Sequence, residues 1–249
     1  MRRRLEVCVD SVESAVIAKE GGADCLEVCS NLVIGGTTPG VSEFKQIRRA
    51  CDIELSVLIR PRFGDFLYTD AEFRMITEDI RLFRELGADG ITVGCLLADG
   101  ALDIKRMGEI RECSGLLELT LHRAFDVCRD PYETLEEAVV LGIDRILTSG
   151  QAPVCTEGIG VLRKLAAQAG ERIEILVGSG VNAELIRLLA ESLQSVSFHM
   201  SGKQNIGSGM IYREKHVPMG ISGFSEFDLL RTDKEAVRRA KQALEDWDF

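Results

Sequence analysis

The stretch Gly87-Ala88-Asp89-Gly90-Ile91-Thr92-Val93-Gly94 decides the fold. Its first glycine closes a helical segment, because glycine takes the left-handed conformation without a Cβ clash. An aliphatic run of strand length follows after two residues. The same joint stands at Gly22-Ala23-Asp24 before Cys25 to Cys29, and at Gly142-Ile143-Asp144 before Arg145 to Thr148. One helix-stop-to-strand step used three times is a βα repeat.

Working outward, Leu5 to Val9 reads as the first strand, and Asp10-Ser11 with Glu13 opens a helix that stops at Gly21-Gly22. Val41 to Ala50 is a helical candidate, Glu54 to Arg60 a strand, and Thr69 with Glu72 forms a capping box for a helix to Leu86. Asp103 caps the next helix, Glu118 to Leu121 is the fifth strand, and Asp130-Pro131 with Glu133 opens another helix. Ile173 to Val177 and Ser195 to Met200 complete eight strands, and Asp233 to Trp247 is a helical tail. Eight βα units in 249 residues predict a single (β/α)8 TIM barrel over residues 1–249, with a long loop over 203–232 before the last helix. A doubly wound open sheet would place a glycine-rich phosphate turn after its first strand, and Asp10-Ser11-Val12-Glu13 is not one.

Composition excludes several classes. The net charge of −10 argues against nucleic acid, which needs clustered Lys and Arg. No run approaches a membrane span. Arg2-Arg3-Arg4 resembles the positive start of a signal peptide, but Glu6 and Asp10 break the apolar run that such a peptide needs next. The expectation is a soluble, cytoplasmic protein. Its 8 cysteines include no C-x-x-C pair and read as reduced, several of them core filler.

The predicted strand ends are unusually polar. Alternation puts Glu6, Cys8 and Asp10 on one face of the first strand and Cys25, Glu27 and Cys29 on one face of the second, pointing into the barrel. Other strands end in Arg60-Pro61-Arg62 with Asp65 close behind, in His122-Arg123 with Asp126, in Thr148-Ser149-Gly150, in Gly178-Ser179-Gly180 and in His199-Met200-Ser201. Inward acids need partners, so Glu6 and Glu27 are expected to meet Arg60, Arg123 or a histidine. Such a cluster at the open end is either a site or an ion network that only fills the lumen. Glycines at 178 and 180, with Arg62, Asp65, Ser149 and Ser201, suggest an anion subsite, for which a tight turn is the plain alternative. Phe63, Phe66 and Tyr68 would form a lid or pack on the rim.

The strings Glu6-Val7-Cys8, Glu27-Val28-Cys29, Gly35-Gly36-Thr37-Thr38-Pro39, Ile59-Arg60-Pro61-Arg62, His122-Arg123-Ala124-Phe125-Asp126, Leu147-Thr148-Ser149-Gly150 and Ser208-Gly209-Met210 resemble the CutC family, known as copper homeostasis proteins. The resemblance spans nearly the whole chain. It implies a TIM barrel, a cytoplasmic location, self-association as a homo-oligomer, and Cu(I) held by Cys8 and Cys29. Departures are Cys25 where the family usually has arginine, Leu121 where phenylalanine is common and Gly40 for a frequent serine.

Two functions are consistent with these residues. One is copper homeostasis, with Cys8 and Cys29 as soft ligands. The other is a metal-independent lyase, isomerase or hydrolase acting on a small anionic metabolite. It would use Glu27, His122, Asp126 or His199 for proton transfer and Arg60 and Arg123 as clamp.

Overall fold

The computed structural model describes residues 3–190, 193, 196–214, 217, 223 and 225–247, with Ala190 in its backbone alone. Eight parallel strands close into a barrel, each paired with its sequence neighbour and the eighth with the first. They are β1 (Leu5–Val9), β2 (Cys25–Val28), β3 (Glu54–Leu58), β4 (Gly90–Val93), β5 (Glu118–Leu121), β6 (Arg145–Thr148), β7 (Glu174–Val177) and β8 (Val196–Met200). Around them run α1 (Val12–Glu20), α2 (Val41–Ala50), α3 (Asp70–Glu85), α4 (Ile104–Ser114), α5 (Pro131–Val140), α6 (Ile159–Ala169), α7 (Ala183–Ala190) and α8 (Lys234–Glu245). The expected start of the last barrel strand at Ser195 lies outside the described residues.

The predicted caps are present. Thr69 and Glu72 satisfy each other's backbone amides at the start of α3. Asp130 accepts from Tyr132 and Glu133 ahead of Pro131, and Asp103 accepts from Arg106. Such bonds engage amides that a first helical turn leaves free, worth about 1 kcal/mol each. Aliphatic residues such as Val7, Leu26, Val57 and Ile91 form the shell between sheet and helices and are fully buried.

Residues 203–232 differ from the expected loop. Their ends pair as an antiparallel ribbon, β9 (Lys203–Gly207) with β10 (Asp228–Thr232). Every residue of β9 is exposed, so no buried face stamps an alternating pattern on it.

The inward faces divide the lumen into a floor and a mouth. At the floor, Arg145 is 1% exposed and places Nη1 at 2.8 Å from both Glu6 and Glu118, with Nε at 3.1 Å from Glu174. Arg4 closes it from below through Glu54, Glu118 and Glu174. Glu6 is therefore paired by Arg145 and by a histidine, His199, the last of the expected partners, and not by Arg60 or Arg123. Parallel register sets the pairing, because Glu6 lies low in its strand whereas Arg60 and Arg123 come after the ends of theirs.

Candidate functional site

The mouth opens where the strands end, into a cavity of about 310 Å³. Cys8, Glu27, Cys29, Arg60, His122, Arg123, Gly180, His199 and Ser201 of the sequence-predicted set all line it.

His199 is the link to the floor. Its Nδ1 lies 2.8 Å from Glu6 Oε1, and Glu6 is itself fixed by Arg145. Glu6 is fully buried, which alone would raise its pKa; the charges of Arg145 and His199 outweigh burial and hold it well below the usual range. Burial alone would lower His199, but the neighbouring Cys8 and Glu27 charges and bonds to Cys8 and Glu6 raise it. The imidazole is thus oriented by a carboxylate on one nitrogen and offers the other to the cavity.

Around that nitrogen gather Cys8 and Glu27. The donor atoms of Cys8, Glu27 and His199 all lie within 4.8 Å of one another. Glu27 Oε1 is buried without a hydrogen-bond partner, and burial is the main reason its pKa rises to about 7. Cys29 lines the same cavity but sends its thiol 3.5 Å to the Val9 carbonyl. Burial, then the charges at Cys8 and Glu27, push the Cys29 thiol well up. The close cluster thus joins Cys8 with His199 and Glu27, while Cys29 shares the cavity with Cys8. Lateral strand spacing brings two thiols into one cavity, whereas ring closure brings His199 of β8 against β1.

His122 has another character. Its Nδ1 accepts the Ala124 amide at 3.2 Å, capping a short 3-10 turn over Arg123–Val127. The proton of the neutral ring is therefore on Nε2. Burial, and then the charge of Arg60, lower its pKa to about 3. A neutral ring with one nitrogen committed to the backbone is a poor proton shuttle, which corrects the acid-base role expected for it. Phe66 packs against it in a tilted contact with ring centroids 4.7 Å apart, and a side chain at Gly94 would strike the ring at 2.8 Å. Phe66 is cavity wall, while Phe63 stays exposed and Tyr68 is buried.

Arg60 lines the cavity but is spent on its loops. It donates to the carbonyls of Gly35, Gly36 and Gly64. Arg62 and Asp65 bond each other outside the cavity, with Arg62 also held by Glu72, so they are not an anion site. Asp126 does not face the cavity either: it accepts from Arg123 Nε, Thr148 Oγ1 and the amides of Ser149 and Gln151. Ser149 is buried in that same knot. Gly178 is no part of the lining; a Cβ there would meet Leu147 at 2.6 Å.

Sequence reading missed Arg145, Leu58, Leu147 and Lys203. Arg145 and Leu147 alternate on one face of β6, and that alternation was the available signal. Nothing marks Lys203 before its ribbon is placed.

The sequence profile of the CutC family matches residues 3–204. The chain belongs to the CutC family. A CutC family protein of Bacteroides fragilis is 43% identical over 241 residues, 96% of this chain and 95% of that one. The human copper homeostasis protein cutC homolog is 41% identical over 235 residues, 94% and 86% of the two chains. Among solved structures, the CutC protein of Streptococcus agalactiae superposes with a TM-score of 0.76 at 30% identity, covering 80% of this chain and 98% of that one. No described helix is long and apolar enough to cross a membrane, and all eight cysteines are free thiols.

Proposed function

We propose that this CutC-family chain serves copper homeostasis in the cytoplasm by binding Cu(I) at the barrel mouth. Cys8 and His199 are the main ligands, with Glu27 beside them and Cys29 as a second thiol of the same cavity. The observation that carries this is the convergence of a thiol, an imidazole and an unpartnered carboxylate oxygen within 4.8 Å. An ion at about 2.0–2.3 Å from each donor needs only a slight closing of that triangle. Thiolate and imidazole suit a soft cation, and the Glu27 carboxylate would balance its charge. The Glu6 carboxylate behind His199 is the outer-shell bond that fixes a metal-binding ring.

The human relative's copper homeostasis name supports the reading from outside the geometry. The test is anaerobic loading with Cu(I) against a competing chelator. We expect one ion per chain, lost in Cys8→Ser and His199→Gln, and weakened roughly 10–100-fold in Glu6→Gln. Wild-type affinity in both Cys8→Ser and His199→Gln would sink the proposal.

A further inference from the structure

Copper accounts for one corner of the cavity only. At about 310 Å³ it sits at the lower end of organic-ligand pockets and far exceeds an ion. His122 Nε2 lies in its wall, carries the ring proton and has no hydrogen-bond partner, with the residue 4% exposed. A buried donor left unsatisfied costs about 1–3 kcal/mol, so the lone Nε2–H asks for an acceptor in the cavity.

The loops after β5, β7 and β8 supply cationic and amide donors to the same cavity. Arg123 is aligned through Nε by Asp126 and through Nη2 by Ser149, while Nη1 has no hydrogen bond among the described residues. Lys203 lines the cavity and makes no ion pair among the described residues. Gly180 and Val181 line it too, and their amides have no partner among the described residues. Ser179 holds φ at 71° and Gly180 at 82°, successive left-handed residues that turn this loop across the mouth. Loops after the last two strands are where such barrels commonly hold phosphate.

We infer that the cavity binds a small phosphorylated molecule, its phosphoryl group against Arg123, Lys203 and the Gly180–Val181 amides, and a carbonyl or carboxylate oxygen accepting from His122 Nε2. His122 acts as a neutral hydrogen-bond donor. This goes beyond the copper reading and needs no metal.

The test uses metal-free protein and two probes by calorimetry, phosphoglycolate and inorganic phosphate. Phosphoglycolate carries both a phosphoryl group and a carboxylate, and is expected to bind about tenfold more tightly than phosphate, the worth of one satisfied buried donor. His122→Asn keeps an acceptor for the Ala124 amide and removes the Nε2 donor. It should bring phosphoglycolate down to the level of phosphate and leave phosphate itself unmoved. Lys203→Gln should weaken both probes. Independently of any variant, the nitrogen-15 signal of His122 Nε2 should shift with phosphoglycolate and not with phosphate.

Absence of binding by either probe at millimolar concentration overturns the inference. So does wild-type affinity for phosphoglycolate in His122→Asn, or an unmoved Nε2 signal. Equally tight binding of succinate would make the anionic end a carboxylate site and overturn the phosphoryl assignment. Because no metal is present, these outcomes are separate from success or failure of copper loading.

Discussion

The two ends of this barrel are lined by the same kinds of side chain and use them in opposite ways. At the floor each charge meets its counterpart: Arg145 with Glu6, Glu118 and Glu174, and Arg4 with Glu54, Glu118 and Glu174. Arg145 Nε and Nη2 make no hydrogen bond there, but that cation sits among carboxylates; at the mouth, Glu27 Oε1, Arg60 Nε and His122 Nε2 are buried beside a cavity with no hydrogen-bond partner among the described residues. A closed ion network supports a lumen. Orphaned polar atoms beside a cavity are held against their own interest by the fold around them, and that is what a ligand site needs. Height in the barrel thus separates a charge-paired floor from a mouth that lines a cavity, with Glu6 belonging to both levels.

The comparison breaks most readily at Arg145. Replacing it with Met leaves Glu6 with His199 alone and Glu174 with Arg4 alone, and loss of about 3–5 kcal/mol is expected. Thermal unfolding should show a fall of roughly 10 °C. An unchanged melting temperature would mean the floor is not a support.

Next in size is Asp126→Ala. It removes the acceptor that ties the β5 end to the β6 loop, and a loss of about 2–4 kcal/mol is expected in urea unfolding. Arg123 loses its alignment as well, so phosphoglycolate affinity should fall with stability.

A smaller effect sharpens the mouth. Glu27 titrates near 7 in the fold against an ordinary 4.5, so the folded protein binds the extra proton between those values. Stability contributed by this group is complete below 4.5 and is lost as pH rises through 7, with a total of roughly 3 kcal/mol. Glu27→Gln should match wild type at pH 5 and exceed it at pH 8. A variant less stable at pH 8 would show that Glu27 is paired after all.

The smallest change is expected at Arg62→Ala. That side chain is held by Glu72 and Asp65 outside the cavity. Stability should drop by less than about 1 kcal/mol, with phosphoglycolate affinity unchanged. A lost affinity would return Arg62 to the site.

Much of the fold is written in local chemistry. The glycine-to-strand joints, the Thr69–Glu72 box and the Asp130-Pro131 start each concern neighbours in sequence, and each is where it was expected. The alternation that sent Glu6, Cys8 and Glu27 inward is equally local. Partner choice is not. Glu6 and His199 are 193 residues apart, and they meet only because the last strand closes against the first. Arg60 is a cation at a strand end and so invites the role of anion clamp. Only the path of the loop after β2, together with the turn of its own loop, shows that its Nη donors are already engaged. His122 falls between these cases: its place at the mouth comes from the strand, but the proton on Nε2 depends on a turn two residues later.

The engagement of Arg60 sets the tempo of the mouth. One guanidinium holds the carbonyls of Gly35 and Gly36 from the loop after β2 and of Gly64 from the loop after β3, while resting over Phe66 at 5.2 Å. Four sets of backbone and ring atoms are thereby strapped to one rigid group. For the phosphorylated ligand proposed above, this side of the cavity would be a wall already in place. Entry should then be a single concentration-dependent step, with observed rates rising linearly in ligand and no slower isomerisation behind them.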